Sequence, residues 1–239
     1  MSTFVVVHGG FGGAWEWTPV ARRLRAHGHE VFTPTLTGMG ERTHLAARDV
    51  TVDTHIEDIV AVLELEDLHD VVLCAHSYGG VPATGAADRV PKRIRLLLYI
   101  DALVPSDGES ALDLLPAWPG PQARATVDAR GRVPTPAGLE PPPGWIDEEE
   151  RLRYVRRLRP QPLHTFTEAI RLTGAVARLP TAFVRCTAAP PPGDPIAAIA
   201  SRMRARGCAY RELALPHDPQ ALNPDETADL LHEFATSMP

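Results

Sequence analysis

The chain has 239 residues and a formal net charge of −6 at pH 7, with 44% hydrophobic and 23% charged residues. This length suits one α/β domain with a small insertion and is enough to bury a sizeable core, whereas two full domains are not expected. The acidic balance and the lack of a basic stripe exclude nucleic acid as an expected partner, because phosphate binding relies on clustered lysine and arginine.

The first residues, Met1–Thr3, lead directly into an apolar run without a charged segment or a long hydrophobic stretch. We therefore expect no signal peptide and no membrane span, and we predict a cytoplasmic location. The three cysteines lack the spacing of metal ligands, so no metal is expected. No organic cofactor is expected either. The expected partner is a small-molecule substrate. A homodimer is compatible with the sequence, which does not fix the oligomeric state.

The first predicted strand, Phe4–Val7, is entirely apolar, which is typical of a strand covered on both faces. A glycine-rich loop, His8–Gly13, follows it at once. Such a loop can hold a dinucleotide phosphate, but neither the dinucleotide-binding glycine spacing in its usual context nor a P-loop lysine is present. We favour the alternative, in which the backbone N–H of Gly10 or Phe11 binds an oxyanion.

Strands and helices alternate after this loop. Further strands are predicted at residues 30–34, 71–75, 94–100, 181–186 and 210–213, and helices at residues 15–28, 53–66, 79–87, 196–206 and 223–234. Asp53 is expected to cap the second of these helices. Regular alternation of this kind predicts a parallel sheet with right-handed crossovers, whose ligands bind at the carboxyl ends of the strands.

The apolar strand at residues 71–75 runs into Ser77 and then into glycine. A serine in so sharp a strand-to-helix turn needs small neighbours, and its hydroxyl is pushed out of the sheet. The pattern here is A-x-S-x-G, with Ala75 where the usual motif has glycine. We interpret it as a nucleophile elbow, with a plain Ser-Gly turn as the alternative. The N–H of Tyr78 is then the second predicted oxyanion donor.

Residues 106–180 interrupt the alternation. They are predicted to form a Pro-rich cap inserted between two parts of the core, residues 1–105 and 181–239. Prolines rule out long regular elements in the first half of the insertion, and two short helices are predicted at residues 147–158 and 163–172. A disordered linker is the alternative, which the tryptophans and the helical pieces disfavour.

Three tryptophans are candidate substrate contacts: Trp15 near the first loop, and Trp118 and Trp145 in the predicted cap. Large aromatic side chains favour an apolar or aromatic substrate when they line a cavity. The same side chains can instead form the core of the cap itself.

A serine is a poor nucleophile at neutral pH unless a base takes its proton and an acid orients that base. Of the ten histidines, we select His217, which lies just beyond the last predicted strand. Asp101 directly follows the strand next to the elbow strand, so we favour it as the acid. Asp194, after the strand at residues 181–186, is the alternative.

Four motifs resemble the α/β-hydrolase superfamily: H-G-G-F-G-G-A-W-E-W, T-G-M-G-E-R, A-H-S-Y-G-G and the late H-D. Within it the chain is similar to small esterases related to plant methylesterases and hydroxynitrile lyases, and to their bacterial relatives. The similarity runs from Phe4 to about Pro105 and again from Thr181 to the end. It implies an α/β-hydrolase fold, with a mostly parallel central sheet flanked by helices and an inserted cap.

The resemblance also bears on individual residues. Bacterial relatives often carry Y-L-D-A-F-V-P where this chain has Y-I-D-A-L-V-P, which supports Asp101 as the acid. The lyases of the family carry a lysine after the catalytic histidine and a threonine in the first loop. Asp218 and Gly9 stand at those places here, so cyanohydrin cleavage is not expected.

The sequence therefore predicts a serine hydrolase that cleaves a carboxylic ester or lactone of a small apolar or aromatic substrate through an acyl-enzyme. One alternative is a natural-product tailoring enzyme on the same scaffold, catalysing cyclisation, acyl transfer or elimination. Another is a catalytically silent ligand-binding protein, because folds of this type also host receptors.

Overall fold

The computed structural model of the chain describes residues 1–115, 127–135, 147–188, 190 and 194–237. The strands in these residues are β1 (Thr3–Val7), β2 (Glu30–Phe32), β3 (Val71–His76), β4 (Ile94–Ile100), β5 (Arg132–Val133), β6 (Gln161–Pro162), β7 (Thr181–Cys186) and β8 (Ala209–Leu213). The α-helices are α1 (Thr18–Ala26), α2 (Val52–Leu65), α3 (Gly80–Arg89), α4 (Glu148–Arg157), α5 (His164–Thr167), α6 (Pro195–Ala205), α7 (Pro219–Leu222) and α8 (Pro224–Ser237).

Six strands form one sheet in the order β2-β1-β3-β4-β7-β8, and each neighbouring pair is parallel. The register pairs Ala75 of β3 with Val7 of β1, and His76 of β3 with Ile100 of β4. The carboxyl ends of these three strands therefore lie side by side. The predicted α/β fold with a parallel central sheet is confirmed.

Both faces of the sheet are buried. Leu73 faces a cluster that contains Ile59 of α2, whereas its neighbour Val72 faces a second cluster that contains Leu24 of α1 and Leu231 of α8. All five side chains are fully buried. Because successive strand residues point to opposite faces, a strand covered on both sides must be apolar throughout, as β1 and β3 are.

Two local predictions were wrong. The cap of α2 is Thr51 rather than Asp53, because the Thr51 side chain accepts a hydrogen bond from the Thr54 N–H at 3.3 Å. The helix expected at residues 163–172 is limited to α5. The N–H groups of Ile170 and Leu172 instead donate to the Glu109 carbonyl and the Asp107 carboxylate.

The described part of the predicted cap contains α4, α5 and a short antiparallel pair formed by β5 and β6. Trp118 and Trp145, two of the predicted substrate contacts, lie outside the described residues, and the predicted boundaries of the cap stay predictions. None of the described helices combines the length and the apolarity that crossing a membrane requires.

Candidate active site

Ser77 lies at the turn between β3 and α3, with a left-handed backbone conformation (φ 51°). Its carbonyl oxygen accepts a hydrogen bond from the Leu103 N–H at 2.9 Å, which fixes the turn against the segment that follows β4. A Cβ atom at Gly79 would lie 2.5 Å from the carbonyl oxygen of His8, so only glycine fits there. The backbone therefore has the strained, tightly packed form of a nucleophile elbow.

Three side chains from distant parts of the sequence form a chain of hydrogen bonds. Ser77 Oγ is 3.0 Å from His217 Nε2, and His217 Nδ1 is 2.6 Å from Asp101 Oδ2. A carboxylate accepts, so Nδ1 carries the proton in the neutral ring and Nε2 is left to accept from the hydroxyl. This geometry suits a serine nucleophile and its general base.

Asp101 follows β4 in a left-handed conformation (φ 43°) and is almost completely buried. Its Oδ1 atom accepts from the Cys186 N–H at 3.0 Å and forms an ion pair with Arg185. Burial raises the pKa of Asp101, but the hydrogen bond from His217 and the positive charge of Arg185 outweigh that effect, so the pKa lies below its ordinary value. The carboxylate is therefore ionised at neutral pH.

The alternative acid, Asp194, occupies a different position. Its carboxylate pairs with Arg185 and accepts from the Ile196 N–H at 3.0 Å, which caps α6. Asp194 thus contacts the guanidinium that Asp101 also contacts, while Asp101 makes the bond to His217.

Burial lowers the pKa of His217. The hydrogen bond to Asp101 and the negative charges of Asp218 and Asp101 raise it by a larger amount, so the pKa lies above its ordinary value. The side chain is 38% exposed, which leaves its ring accessible from the solvent side. Two carboxylates therefore act on the His217 ring: Asp101, which is hydrogen bonded to it, and Asp218, which follows it in the sequence.

The oxyanion loop, defined here as residues 8–13, lies directly beside Ser77. A Cβ atom at Gly9 would lie 3.3 Å from Ser77 Cβ, and one at Gly10 would lie 3.5 Å from Tyr78 Cβ. This close approach explains the glycines, and it brings the predicted donors Gly10 and Tyr78 together.

His8 is fully buried and orients one peptide of this loop. Its Nε2 atom accepts from the Leu36 N–H at 3.1 Å, so the proton lies on Nδ1, which donates to the Gly9 carbonyl at 2.8 Å. The C=O and N–H of a trans peptide point in opposite directions, so the Gly10 N–H points away from His8. Burial lowers the pKa of His8 to about 4 and keeps the ring neutral.

The Phe11 N–H donates to the side-chain oxygen of Gln161 at 3.0 Å. It is therefore not directed at Ser77, which contradicts Phe11 as the first donor, and Gly10 as that donor stays a prediction. Gln161 lies in β6, 150 positions away along the chain, and no local pattern in the sequence indicated this contact.

Tyr78 is buried and directs its side chain away from Ser77. Its hydroxyl is 2.9 Å from His55 Nδ1, and His55 Nε2 donates to the Thr37 carbonyl at 2.9 Å. The Tyr78 hydroxyl is thus used in a contact with α2, and its backbone N–H stays the predicted second oxyanion donor.

The third tryptophan, Trp15, packs against α4. Its ring lies 5.1 Å from the Tyr154 ring, and the Arg157 guanidinium lies 4.0 Å above it. Its contact with a substrate stays a prediction.

A second polar cluster lies near His217. The Tyr154 hydroxyl is 3.0 Å from Glu16 Oε1 and 3.4 Å from Asp218 Oδ1. Burial raises the pKa of Glu16 well above its ordinary value, and the negative charge of Asp218 raises it further. Sequence reasoning missed Glu16, although an acidic residue between two tryptophans is a recognisable signal. It also missed Arg185, the charged residue in the otherwise apolar strand β7.

Known proteins resemble the chain in sequence. A carbendazim hydrolyzing esterase of Nocardioides sp. (strain SG-4G) is 48% identical over 125 residues, which cover 52% of each chain. Methylesterase 9 of Arabidopsis thaliana is 37% identical over 106 residues, which cover 44% of this chain and 41% of that protein. An alpha-hydroxynitrile lyase of the same plant is 31% identical over 103 residues, 43% of this chain and 40% of that one. The chain thus matches about half or less of each relative's length.

Solved structures resemble the fold over nearly its whole length. An extracellular alpha/beta-hydrolase from a Paenibacillus species superposes with a TM-score of 0.86 at 24% identity, covering 98% of both chains. A polyneuridine aldehyde esterase mutant superposes with a TM-score of 0.77 at 18% identity and the same coverage. The model of the alpha/beta hydrolase family matches residues 4–230. The predicted resemblance is confirmed, and the chain belongs to the alpha/beta hydrolase family.

Proposed function

We propose that the protein is a serine hydrolase that cleaves a carboxylic ester or lactone of a small apolar or aromatic substrate. The observation that carries the proposal is the hydrogen-bond chain from Ser77 through His217 to Asp101, at 3.0 and 2.6 Å. Each member has the chemical state its role needs. Nε2 of His217 accepts from the hydroxyl, and Asp101 is ionised and buried.

In the first half of the reaction, Ser77 Oγ attacks the substrate carbonyl carbon while His217 Nε2 takes the hydroxyl proton. The carbonyl oxygen becomes an oxyanion, and the N–H groups of Gly10 and Tyr78 bind it. Removing one such donor costs about 3 kcal/mol in other serine hydrolases. The ester C–O bond then breaks, and the proton on His217 passes to the leaving alcohol, or to the ring-opened hydroxyl when the substrate is a lactone.

In the second half, a water molecule attacks the acyl-enzyme. His217 takes a proton from the water, and the same N–H groups bind the second oxyanion. When the bond to Ser77 breaks, His217 returns the proton to Oγ and the carboxylic acid leaves. Asp101 stays ionised throughout and stabilises the imidazolium formed in each half.

The names of the relatives suggest the substrates to test first. A carbendazim hydrolyzing esterase and a plant methylesterase are each similar to about half of this chain or less, so methyl esters of aromatic acids and methyl carbamates are the proposed classes. In all of them the alcohol that leaves is small, and the acyl part can be planar and apolar.

The decisive experiment compares the wild type with Ser77→Ala on p-nitrophenyl acetate, methyl benzoate and an aryl methyl carbamate. We expect turnover by the wild type and a loss of about 10⁴-fold or more in the variant. A wild type that is inactive on the whole panel, with Ser77 nevertheless labelled by a fluorophosphonate, would contradict hydrolysis and favour the tailoring or binding alternatives.

A further inference from the structure

Phe11 is held in its conformation by residues far away in the sequence. Gln161 Oε1 accepts from its N–H at 3.0 Å, and the Arg159 N–H donates to its carbonyl oxygen at 2.8 Å. Phe11 has a φ of 62°, a conformation that costs energy for any residue with a side chain. Such a conformation persists only where the surroundings fix it, and here both polar groups of its backbone are bound by one segment.

The Gln161 side chain is completely buried and both ends of its amide are used. Its oxygen accepts from Phe11, while its Nε2 donates to Thr165 Oγ1 at 2.9 Å. The Thr165 hydroxyl in turn donates to the Pro162 carbonyl at 2.7 Å. Because Phe11 offers only a donor and the Thr165 hydroxyl already donates to Pro162, the amide oxygen must face Phe11 and the amide nitrogen must face Thr165. The side chain of glutamine, with an acceptor and a donor on one amide, satisfies both contacts.

These contacts flank the Gly10 N–H, the first donor of the proposed oxyanion site. His8 fixes the peptide that joins Gly9 to Gly10, through the Gly9 carbonyl. Gln161 fixes the next peptide, which joins Gly10 to Phe11, through the Phe11 N–H. Since Gly10 has no side chain to restrict its rotation, the direction of its N–H depends on these two neighbouring peptides.

The same segment also contacts the other donor. The ring of Phe166 lies 5.7 Å from the Phe11 ring and 5.3 Å from the Tyr78 ring. Residues 159–166, which we term the strap, thus touch the residues on both sides of the oxyanion site.

From these contacts we propose that Gln161 is a positioning residue that keeps the oxyanion loop in its active form, so that the site is complete only while the strap is seated on Phe11. The proposal rests on the proposed function, because it assigns to Gln161 a role in binding the oxyanion. Gln161 does not touch the substrate and acts through Phe11 and Gly10.

The test compares the wild type with Gln161→Met, which keeps the length of the side chain and removes both hydrogen bonds. We expect kcat on p-nitrophenyl acetate to fall about 10- to 100-fold, less than the loss on deleting an oxyanion donor. KM should change little, and a boronic acid that forms a tetrahedral adduct with Ser77 should bind more weakly by a similar factor. The acid limb of the pH profile should not move, because the contacts of His217 are untouched.

A readout independent of turnover is the hydrogen exchange of the Phe11 amide, followed by NMR with ¹⁵N-labelled phenylalanine. Slow exchange is expected in the wild type and faster exchange in Gln161→Met. Thr165→Val, which removes the support of the amide but not the bond to Phe11, should lose less kcat than Gln161→Met. If Gln161→Met does not fold, Thr165→Val is the deciding variant. A loss of kcat with unchanged KM would then support the role of Gln161, and an unchanged kcat would contradict it.

The matched control is Thr227→Val in α8, which also removes a buried side-chain hydrogen bond, at 2.8 Å to the Asn223 carbonyl. It should keep kcat. If Gln161→Met folds and keeps wild-type kcat, or loses no more kcat than Thr227→Val, the role of Gln161 is overturned while the proposed function stands. A wild type without Ser77-dependent turnover overturns the proposed function instead, and with it the catalytic meaning of Gln161.

Discussion

His76 Nε2 donates a hydrogen bond to the backbone carbonyl oxygen of His217, at 2.7 Å. His76 directly precedes Ser77 and is buried, and burial lowers its pKa to about 4. The last residue of β3 therefore holds the main chain of the loop that carries the base. Ser77 and His217 are thus tied together through the backbone as well as through their side chains.

The first prediction concerns this bond. His76→Phe keeps an aromatic ring and removes the donor, so the His217 loop loses one of its fixed points. We expect kcat to fall about 10- to 100-fold, since small displacements of a catalytic group are costly. Steady-state kinetics check this, with His69→Ala at an exposed position as the control that should keep full activity. An unchanged kcat in His76→Phe would show that the side-chain contacts alone position the base.

The second prediction separates the two candidate acids. Asp101→Asn should lower kcat by about 10⁴-fold, because the amide no longer fixes the proton on His217 Nδ1. Asp194→Asn should cost far less, since Asp194 reaches His217 only through Arg185 and Asp101. Turnover of p-nitrophenyl acetate by both variants gives the answer, and a larger loss in Asp194→Asn would reverse the assignment.

The third prediction concerns the pH profile. In the proposed function His217 acts as a base when neutral, so kcat/KM should rise with pH through its pKa, which is raised above 6.5. The negative charge of Asp218 contributes to that elevation. Asp218→Asn should therefore move the acid limb to lower pH. A limb that stays in place, measured on a substrate without ionisable groups, would exclude Asp218 from the electrostatics of the base.

The fourth prediction concerns acid stability. Burial lowers the pKa of His8, His55 and His76 to about 4 in the folded chain, below the 6.5 of an unfolded histidine. Between these values only the unfolded chain binds the protons, so each histidine stabilises the fold fully above pH 6.5 and progressively less down to pH 4. Each contributes a slope of about 1.4 kcal/mol per pH unit.

Urea unfolding of the wild type and His55→Gln at pH 5, 6 and 7 tests this slope. Glutamine can replace only part of the hydrogen bonding that His55 makes to Thr37 and Tyr78, so the variant should be less stable at pH 7. Its free energy of unfolding should nevertheless fall less steeply on acidification than that of the wild type, because its unfolded chain takes up one proton fewer. Parallel curves for the two proteins would mean that His55 is protonated in the folded state.

The fifth prediction concerns Glu16. Its pKa is raised in the folded state, so above pH 4.5 the folded chain keeps a proton that the unfolded chain releases. The contribution of Glu16 to stability therefore falls as pH rises. Glu16→Gln has no such proton, and its stability relative to the wild type should increase by about 1.4 kcal/mol per pH unit until the buried carboxyl ionises. If the free energies of unfolding of Glu16→Gln and the wild type differed by the same amount at pH 5 and pH 8, Glu16 would be ionised in the folded chain.

The sheet and the side chains at its carboxyl edge were predictable because they follow from local patterns. All-apolar strands indicate burial on both faces, and the turn at Ser77 requires small neighbours wherever it occurs. Asp101 and His217 were selected by their places after strands, which the parallel topology converts into proximity.

Contacts that cross between distant segments were not predictable in the same way. The bond from Phe11 to Gln161 spans 150 positions and depends on how residues 159–166 return to the sheet. The helix expected beyond α5 failed for a related reason, because the N–H of Ile170 is bound by Glu109 rather than by its own turn. Backbone donors that find partners elsewhere override a local helical pattern.

The strand order has a consequence for how the molecule is assembled. β7 and β4 separate β8 from β3, so His217 must return across roughly 14 Å of sheet to reach Ser77. A growing polypeptide completes the strand that leads into Ser77 early in synthesis, but His217 joins Ser77 only after the far edge strand of the sheet has been made. Under the proposed function, the nascent chain therefore lacks the base that activates Ser77, and turnover begins only with the final steps of folding.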